Sequence, residues 1–454
     1  MTVALTRALV LTLDRERRIL TDGAVAFDGD GEILAVGPTD EVVERLDDGA
    51  RIVDCAGRVI TPGFVDVHVH LGEQLMRGLV PDGAGPTEWL PDWLLPTYAA
   101  LEPAEERLAA EVAIAELLLT GTTTFCEAGT LLDTEPVADA VQETGIRAQL
   151  GRWTWDLPEA PARMRATAAE GLAANADMLA RLRSRGCPRL SGAVILLGMG
   201  TASETLLREA HALAAEHGVP KAMMYAGTAP EHGGTPLPVA SLAEWGWADE
   251  RTKLTHVVYV DDDEVALLAD GGVRVAHCPT AALRHVKGIH RHGKVPEMLA
   301  AGMAVGLGGD SANGSNHFNM LRLAYLAATL YKDFRMDSTM VPPEVALEMA
   351  TLHGARCLGM EDEIGSLEPG KRADLVVFST EHPEWRPMLH PVQNLVLNAT
   401  DRSIESVWVD GRALVEHGRL ETMDLPAVLA RADAAAVSLL ERVGLSAPWD
   451  WPRA

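Results

Sequence analysis

The apolar residues of this chain follow two different spacings. Near the N-terminus, short runs such as "ALVLTL" and "GAVAFDGDGEILAVG" have the length and composition of β-strands, and an Asp-Gly pair marks a tight turn in the second. The last hundred residues return to this style in "ADLVVF" and "SIESVWVDGRALVEHG". Both ends of the chain are therefore predicted to be β-structure.

Between residues 61 and 364 the pattern alternates. Ala/Leu/Glu-rich stretches such as "AEERLAAEVAIAELLLTG" have helical spacing, and each is followed by a short apolar run such as "TTTFCEAG". Helix, glycine, strand and polar loop, repeated, are typical of βα units around a parallel sheet. We predict an α/β fold, a distorted (β/α)8 TIM barrel, in which chemistry occurs where the strands end.

The same pattern divides the chain. Residues 1–60 and 365–420 are predicted to form a small β-sandwich, and residues 61–364 the barrel. Residues 421–454 are predicted to be a C-terminal helix and tail, with the helix packed on the outside.

Composition excludes several classes of partner. The 454 residues carry a formal charge of −26, which disfavours nucleic acid and anionic membranes, because both need a basic surface. The five cysteines are widely spaced and include no CxxC pair, which favours reduced thiols. The N-terminal apolar run is short and interrupted by Arg7, so a signal peptide is not expected. We expect a cytoplasmic protein that acts on a small molecule.

The strongest motif is "PGFVDVHVHLG". His68 and His70 are two residues apart on a predicted strand, so their side chains share one face, with Asp66 one step earlier. Two imidazoles at a strand end can bind one divalent cation, although such a pair can also be hydrogen-bonded or exposed.

Three further residues end apolar runs. Asp310 in "GLGGDSANGSN" could ligate a metal, take a proton from water or cap a helix. His256 in "LTHVVYV" could polarise water, contact substrate, ligate a metal or bond to a backbone carbonyl. His277 in "VAHCPTA" is a weaker candidate of the same kind, and "RHVKGIHRHGKVPE" is predicted to be a solvated basic loop.

Five stretches together resemble the amidohydrolase superfamily: "PGFVDVHVHLGEQLMRG", "LTHVVYVDDDEV", "VAHCPTA", "GLGGDSA" and "GSLEPGKRADLVVF". The most similar branch is the cytosine-deaminase-like and triazine-hydrolase group of amino- and chlorohydrolases. The resemblance covers nearly the whole chain in order. It implies one divalent metal, commonly zinc or iron, that activates water to expel ammonia, an amine or halide from a ring or amidine carbon.

The resemblance also assigns roles. It implies that His68, His70 and Asp310 hold the metal and that His256 orients the attacking water. Arg77 stands where many members have an Arg-Gly, and would fix substrate or the local loop.

The stretch "KAMMYAGTAPEH" departs from the branch. Members usually have His-x-x-Glu-Thr-x-x-Glu here, which supplies a third imidazole and a proton shuttle. Met224 falls in the histidine position and Gly227 in the glutamate position, whereas Thr228 and Glu231 still match. A thioether is a weak ligand for zinc, and loss of the acid/base group costs about 10²–10⁴ in rate.

The departures also suggest a more apolar pocket. Ala281 and Ala282 replace a usual Ser-Asn pair, and Met199, Met224 and Tyr225 are expected to line the pocket, although methionines more often pack in cores. Carboxyl or imidazole groups that could compensate are Glu73, Glu127, Glu231 and His232, with Glu73 taken as a substrate contact.

Three functions follow. The first is a metal-dependent hydrolase of a C–N or C–Cl bond in a small nitrogen heterocycle, with a remodelled site. The second is changed, metal-free chemistry on the same fold, such as that of a lyase, isomerase or cyclase. The third is a non-catalytic ligand-binding relative. Related barrels are often dimers, so a homodimer or larger homo-oligomer is expected.

Overall fold

The computed structural model describes residues 1–85, 88–198, 200–229, 234 and 237–447. Met199, Glu231 and His232, which the sequence singled out, lie outside these residues.

The N-terminal strands form one side of a mixed β-sheet. They are β1 (Val3–Leu11), β2 (Ile19–Phe27), β3 (Ile33–Pro38), β4 (Arg51–Asp54) and β5 (Arg58–Pro62). β2 runs antiparallel to β1 and β3, whereas β4 and β5 run parallel to β1. The predicted turn between β2 and β3 contains Gly31, whose φ of +82° is a conformation that glycine adopts without strain.

Ten parallel strands build the barrel. They are β6 (Phe64–His70), β7 (Thr122–Glu127), β8 (Arg147–Leu150), β9 (Leu190–Gly192), β10 (Val194–Gly198), β11 (Lys221–Tyr225), β12 (Thr252–His256), β13 (Arg274–His277), β14 (Val305–Leu307) and β15 (Asp310–Ser311). They pair in the orders β15-β6-β7-β8-β9 and β10-β11-β12-β13-β14. Only Ala193 separates β9 from β10, and only Gly308 and Gly309 separate β14 from β15. The ten strands therefore occupy eight positions, and the predicted (β/α)8 fold is confirmed.

The C-terminal strands complete the sheet that the N-terminal strands begin. They are β16 (Leu375–Ser379), β17 (Ile404–Val409), β18 (Arg412–Glu416) and β19 (Arg419–Leu420). β16 pairs antiparallel with β5, which places both ends of the chain in one sheet of order β19-β18-β17-β16-β5-β1-β2-β3, with β4 on β1. A buried ion pair links this sheet to the barrel, because Arg147 Nε on β8 lies 2.9 Å from Asp374 Oδ2.

The helices follow the strands as the alternation predicted. They are α1 (Thr39–Val43), α2 (Leu95–Ala100), α3 (Pro103–Leu119), α4 (Glu135–Thr144), α5 (Ala168–Ser184), α6 (Glu204–His217), α7 (Val239–Glu244), α8 (Asp262–Asp270), α9 (Pro279–Arg284), α10 (Ile289–His292), α11 (Val295–Ala300), α12 (Met320–Arg335), α13 (Pro343–Ala350), α14 (Leu352–Leu358), α15 (Pro391–Gln393) and α16 (Leu425–Val443). Short 3-10 or π turns lie at Leu71–Met76, Trp89–Leu94, Pro383–Trp385, Asn394–Asn398 and Asp401–Ser403.

Local chemistry sets where these helices start. α3 begins at Pro103 after a capping box, in which the side chains of Glu102 and Glu105 each accept a hydrogen bond from the other residue's backbone N–H. After α3 ends at Leu119, Thr120 and Gly121 lead directly into β7. The C-terminal helix α16 packs against α3. None of the helices in the described ranges is long and apolar enough to cross a membrane.

Candidate metal centre

Three ligand-type side chains converge where the first and last barrel strands meet. His68 and His70 share one face of β6, and their ring centroids are 4.9 Å apart. β15 pairs with β6 so that Asp310 is opposite Val69, between the two histidines. Asp310 Oδ1 therefore lies 3.2 Å from His70 Nε2 and 3.8 Å from His68 Nε2.

His256 approaches the same carboxylate from the end of β12. Its Nε2 lies 3.7 Å from Asp310 Oδ2. Cys278, which directly follows β13, completes a second set in which the ligand atoms of His256, Cys278 and Asp310 lie within 4.8 Å of one another. His256 and Asp310 have φ values of +77° and +60°. Left-handed backbone is costly for such residues and is concentrated at functional sites.

Buried polar groups hold these side chains in place. Asp66 accepts hydrogen bonds from the backbone N–H of His68 at 3.1 Å and of Gly309 at 3.0 Å, so it fixes β6 against the segment that leads to Asp310. Thr255 Oγ1 lies 3.2 Å from His68 Nδ1. This contact leaves His68 Nε2 directed at the cluster, in the way that outer groups orient metal-binding histidines.

His68 and His70 differ in protonation state, because both are buried but only His70 is hydrogen-bonded to Asp310. Burial holds the pKa of His68 well below its usual value. Burial also disfavours charge on His70, but its hydrogen bond to Asp310 and the nearby carboxyl of Glu73 raise its pKa to about 9. Burial opposes charge on Asp310, but the hydrogen bond from His70 and the surrounding imidazoles hold the pKa of Asp310 well below its usual value.

This donor set fits a divalent metal ion. His68 Nε2 is buried and finds no hydrogen-bond partner among the described residues. A buried polar atom without a partner is costly unless a ligand satisfies it. Imidazole nitrogens with a carboxylate oxygen suit zinc or iron. His68, His70 and Asp310 are therefore the residues that would hold the ion.

Two buried carboxyl groups, those of Glu73 and Glu127, lie near His70. Glu73 Oε1 accepts from the Tyr98 hydroxyl at 2.8 Å and lies 4.0 Å from His70 Nδ1, while its Oε2 has no partner in the described part of the chain. Glu127 accepts from the backbone N–H of Gly129 and Thr130. Burial raises the pKa of Glu73 and of Glu127 to about 7.

The two methionines of β11 lie on opposite sides of the strand. Met223 is buried in the main core, whereas Met224 is half-buried and packs against the cluster that contains Tyr98 and Trp153. Gly227 lies directly against the ring of His256, since a Cβ at position 227 would be 2.8 Å from His256 Cδ2. The space next to Gly227 is thus filled by imidazole.

Three predicted contacts are not brought to the cluster. The exposed Arg77 pairs with Glu116, whose Oε1 accepts from the Phe318 N–H, so Arg77 supports a loop. Tyr225 lies in the main core and donates its hydroxyl to the carbonyl of Leu237.

His277 is the third. Its ring lies 6.2 Å from that of Tyr331 on α12. Strand alternation explains this position, because Ala276 packs in the barrel interior and His277 points to the surrounding helices.

Two residues that the sequence argument passed over do reach the site. Alternate residues of a strand share a face, so Cys278, directly after β13, reaches the site where His277 was expected. The sequence alone could have indicated this exchange. Lys287 Nζ lies 3.1 Å from His256 Nε2, although its segment was predicted to be a solvated loop. That prediction is also wrong for His285, which is buried against Trp89 with ring centroids 4.4 Å apart. The local sequence does not indicate this position, because contacts with residues distant in sequence bring the segment of His285 and Lys287 to the site.

The sequence and fold of this chain are similar to those of known amidohydrolases. The amidohydrolase family profile matches residues 59–414. A 5-methylthioadenosine/S-adenosylhomocysteine deaminase of Nitratidesulfovibrio vulgaris is 34% identical over 96% of this chain and 97% of its own. An adenosine deaminase from Xanthomonas campestris with bound zinc superposes with a TM-score of 0.89 at 27% identity, over 97% of this chain and 98% of the other. A triazine hydrolase from Arthrobacter aurescens gives 0.86 at 25% identity, over 96% and 99%. The chain belongs to the amidohydrolase family of enzymes.

Proposed function

We propose that this protein is a metal-dependent hydrolase that cleaves a C–N bond of a small nitrogen heterocycle. The observation that carries the proposal is the convergence of His68, His70 and Asp310, whose ligand atoms lie within 4.8 Å of one another in a buried site. A zinc or iron ion held there would supply Lewis-acid activation of water and of the substrate.

The chain's own groups then divide the remaining tasks. Asp310, ionised because its pKa is low, holds the ion and can accept a proton at Oδ2. His256 is neutral, because burial and Lys287 lower its pKa to about 3, and it orients the reactants from the β12 side. Glu73 Oε2 has no hydrogen-bond partner among the described residues, and burial raises the pKa of Glu73 to about 7, which suits proton transfer near neutral pH. We assign Glu73 the shuttle role that Gly227 cannot fill.

Aminopurine nucleosides are the first substrate class to test. The deaminase relative at 34% identity is named for 5-methylthioadenosine and S-adenosylhomocysteine, and the neighbour with bound zinc is an adenosine deaminase. Met224, with Tyr98 and Trp153 behind it, offers an apolar wall for such a substrate. The triazine hydrolase makes C–Cl cleavage of a triazine the second class to test.

Changed, metal-free chemistry is the competing function, and one contact favours it. The ammonium of Lys287 lies 3.1 Å from His256, so the site already holds one positive charge of its own. A lyase, isomerase or cyclase could use His256 and Asp310 without a metal.

One assay separates the two functions. Zinc-loaded and chelator-stripped protein would each be incubated with 5-methylthioadenosine, S-adenosylhomocysteine, adenosine and a chlorotriazine, and release of ammonia or chloride would be measured. Release that needs the metal and is lost in His68→Ala supports the proposed hydrolase. Conversion of substrate by stripped protein without ammonia or chloride release supports the competing function.

A further inference from the structure

Lys287 brings a positive charge into the half of the site that the proposed metal does not use. Its Nζ lies 3.1 Å from His256 Nε2. Because an ammonium can only donate hydrogen bonds, His256 Nε2 is the acceptor in this bond. Burial lowers the pKa of Lys287, and the nearby carboxylate of Asp310 partly opposes this by favouring the charged ammonium. Lys287 is therefore bonded to one member of the His256–Cys278–Asp310 set, whose ligand atoms lie within 4.8 Å of one another.

The backbone around Lys287 is built to aim this side chain inward. Val286 has a φ of +45° and is 63% exposed, and Gly288 follows with a φ of +65°. A β-branched residue in left-handed conformation is strained, and such strain persists only where the surroundings impose it. The Lys287 N–H donates to Ala282 O at 2.9 Å, and the Tyr259 hydroxyl donates to the Lys287 carbonyl at 3.0 Å. Both bonds fix the segment.

We propose that Lys287 is a tethered cation that occupies the His256–Cys278–Asp310 half of the site and confines a divalent ion to His68, His70 and Asp310. The lone pair of His256 Nε2 is engaged by the ammonium, so this nitrogen cannot ligate a metal. The positive charge also opposes a divalent cation bound to the shared carboxylate of Asp310. This inference rests on the proposed metal-dependent function and concerns how tightly and through which ligands the ion is held.

The half-site that Lys287 fills has its own ligand chemistry. Cys278 would supply a thiolate, which prefers softer or borderline cations such as zinc and cobalt(II). Removing the ammonium should therefore expose a thiolate-containing site, with Asp310 common to both halves. A cobalt(II) ion bound by a thiolate has a near-ultraviolet charge-transfer absorption that nitrogen and oxygen ligands do not give.

The test is a cobalt(II) titration of the metal-free full chain, followed by equilibrium dialysis and absorption. Lys287→Met removes the charge and keeps the length of the side chain. Lys294→Met is the matched control, because Lys294 makes a surface pair with Asp262 at 2.8 Å and loses the same charge outside the site. We expect Lys287→Met to bind cobalt about tenfold or more tightly than wild type. We also expect it to gain the thiolate absorption, while Lys294→Met resembles wild type.

Two further variants secure the interpretation. Lys287→Met combined with Cys278→Ser should lose the thiolate absorption, and Lys287→Gln replaces Lys287→Met if the latter does not fold. Unchanged cobalt affinity without a thiolate absorption in a folded Lys287 variant would overturn the inference, even where wild type binds metal. Failure of wild type alone to bind cobalt or zinc would count against the proposed function and against an ion held by His68, His70 and Asp310. If the Lys287 variant then binds cobalt with the thiolate absorption, the exclusion of metal from the His256–Cys278–Asp310 half by Lys287 is supported. If neither binds, both are overturned.

Discussion

The Nε2 atom of His70 lies 3.2 Å from Oδ1 of Asp310, so one contact joins the first and last strands of the barrel at the candidate metal centre. In the metal-free protein this contact is a hydrogen bond that holds a proton on His70 and keeps Asp310 ionised. A metal ion that takes both atoms as ligands must displace this proton.

Zinc affinity should therefore depend on pH. The folded-state pKa of His70 is about 9, so His70 is protonated below that pH and must release a proton on binding. Between pH 6 and pH 8 we expect the apparent affinity to rise by about tenfold per unit, measured by competition with a chelator. Glu73→Gln removes a carboxyl that favours the proton on His70, so its profile should shift to lower pH. An affinity that is flat from pH 6 to pH 8 would contradict this assignment.

Met224→His should strengthen metal binding. Met224 pairs in register with Thr255, next to His256, on the side of β11 opposite to Met223. An added imidazole there is expected to tighten zinc by about tenfold or more, because a third nitrogen ligand joins the set. Met223→His is the control, and it should lower the melting temperature without tightening zinc, since it buries an imidazole in the core. Equal zinc affinity in the two variants would refute the placement of Met224.

Gly227→Ala should impair turnover while leaving the metal ligands intact. The new Cβ would lie 2.8 Å from His256 Cδ2, so the imidazole must move. We expect kcat to fall by about tenfold or more, because small displacements at a reacting centre are costly. Zinc affinity should change little. Gly49→Ala, whose Cβ meets no atom within 4 Å, is the control and should behave as wild type. The same close contact predicts that Gly227→Glu cannot restore a proton shuttle without moving His256.

Arg147→Met should destabilise the whole chain. Arg147 and Asp374 are both almost completely buried, and they make two bonds, at 2.9 and 3.1 Å. Removing the guanidinium leaves a buried carboxylate without its partner, which typically costs about 3–5 kcal/mol. Arg181→Met, which breaks an exposed pair with Asp177, should leave the free energy of unfolding nearly unchanged in the same chemical unfolding experiment. Similar losses in the two variants would mean that the Arg147 pair does not hold the barrel to the terminal sheet.

The sequence pattern was sufficient for the fold because it repeats. The same order of helix, glycine and strand recurs along the barrel, so one unit predicts the type of the next. Residues two apart on a strand share a face, so the His-x-His spacing places His68 and His70 together without information from other segments. Asp310 could be placed for the same reason, because it ends an apolar run and such ends meet at one edge of a parallel barrel.

The remaining site residues depend on contacts between segments distant in sequence. Lys287 enters the site because α9 and the bond from Tyr259 turn its segment inward, and nothing in "RHVKGIHRHGKVPE" states that direction. Arg77 was placed by resemblance, yet its partner is Glu116 on α3. For His277, one step of strand alternation separates a residue facing the barrel interior from one facing the helices. An error of one residue at a strand end thus exchanges a site residue for a core residue.

The most direct test of the metal centre is the zinc bound per chain at equilibrium. Wild type and Asp310→Ala would be dialysed against the same micromolar free zinc and analysed by mass spectrometry, with circular dichroism to show that both are folded. Asp310 belongs to both ligand sets, so its loss should reduce zinc binding by about 100-fold or more. About one zinc per chain in wild type and little in the variant is the predicted result. Wild type that holds no more zinc than Asp310→Ala would contradict the account.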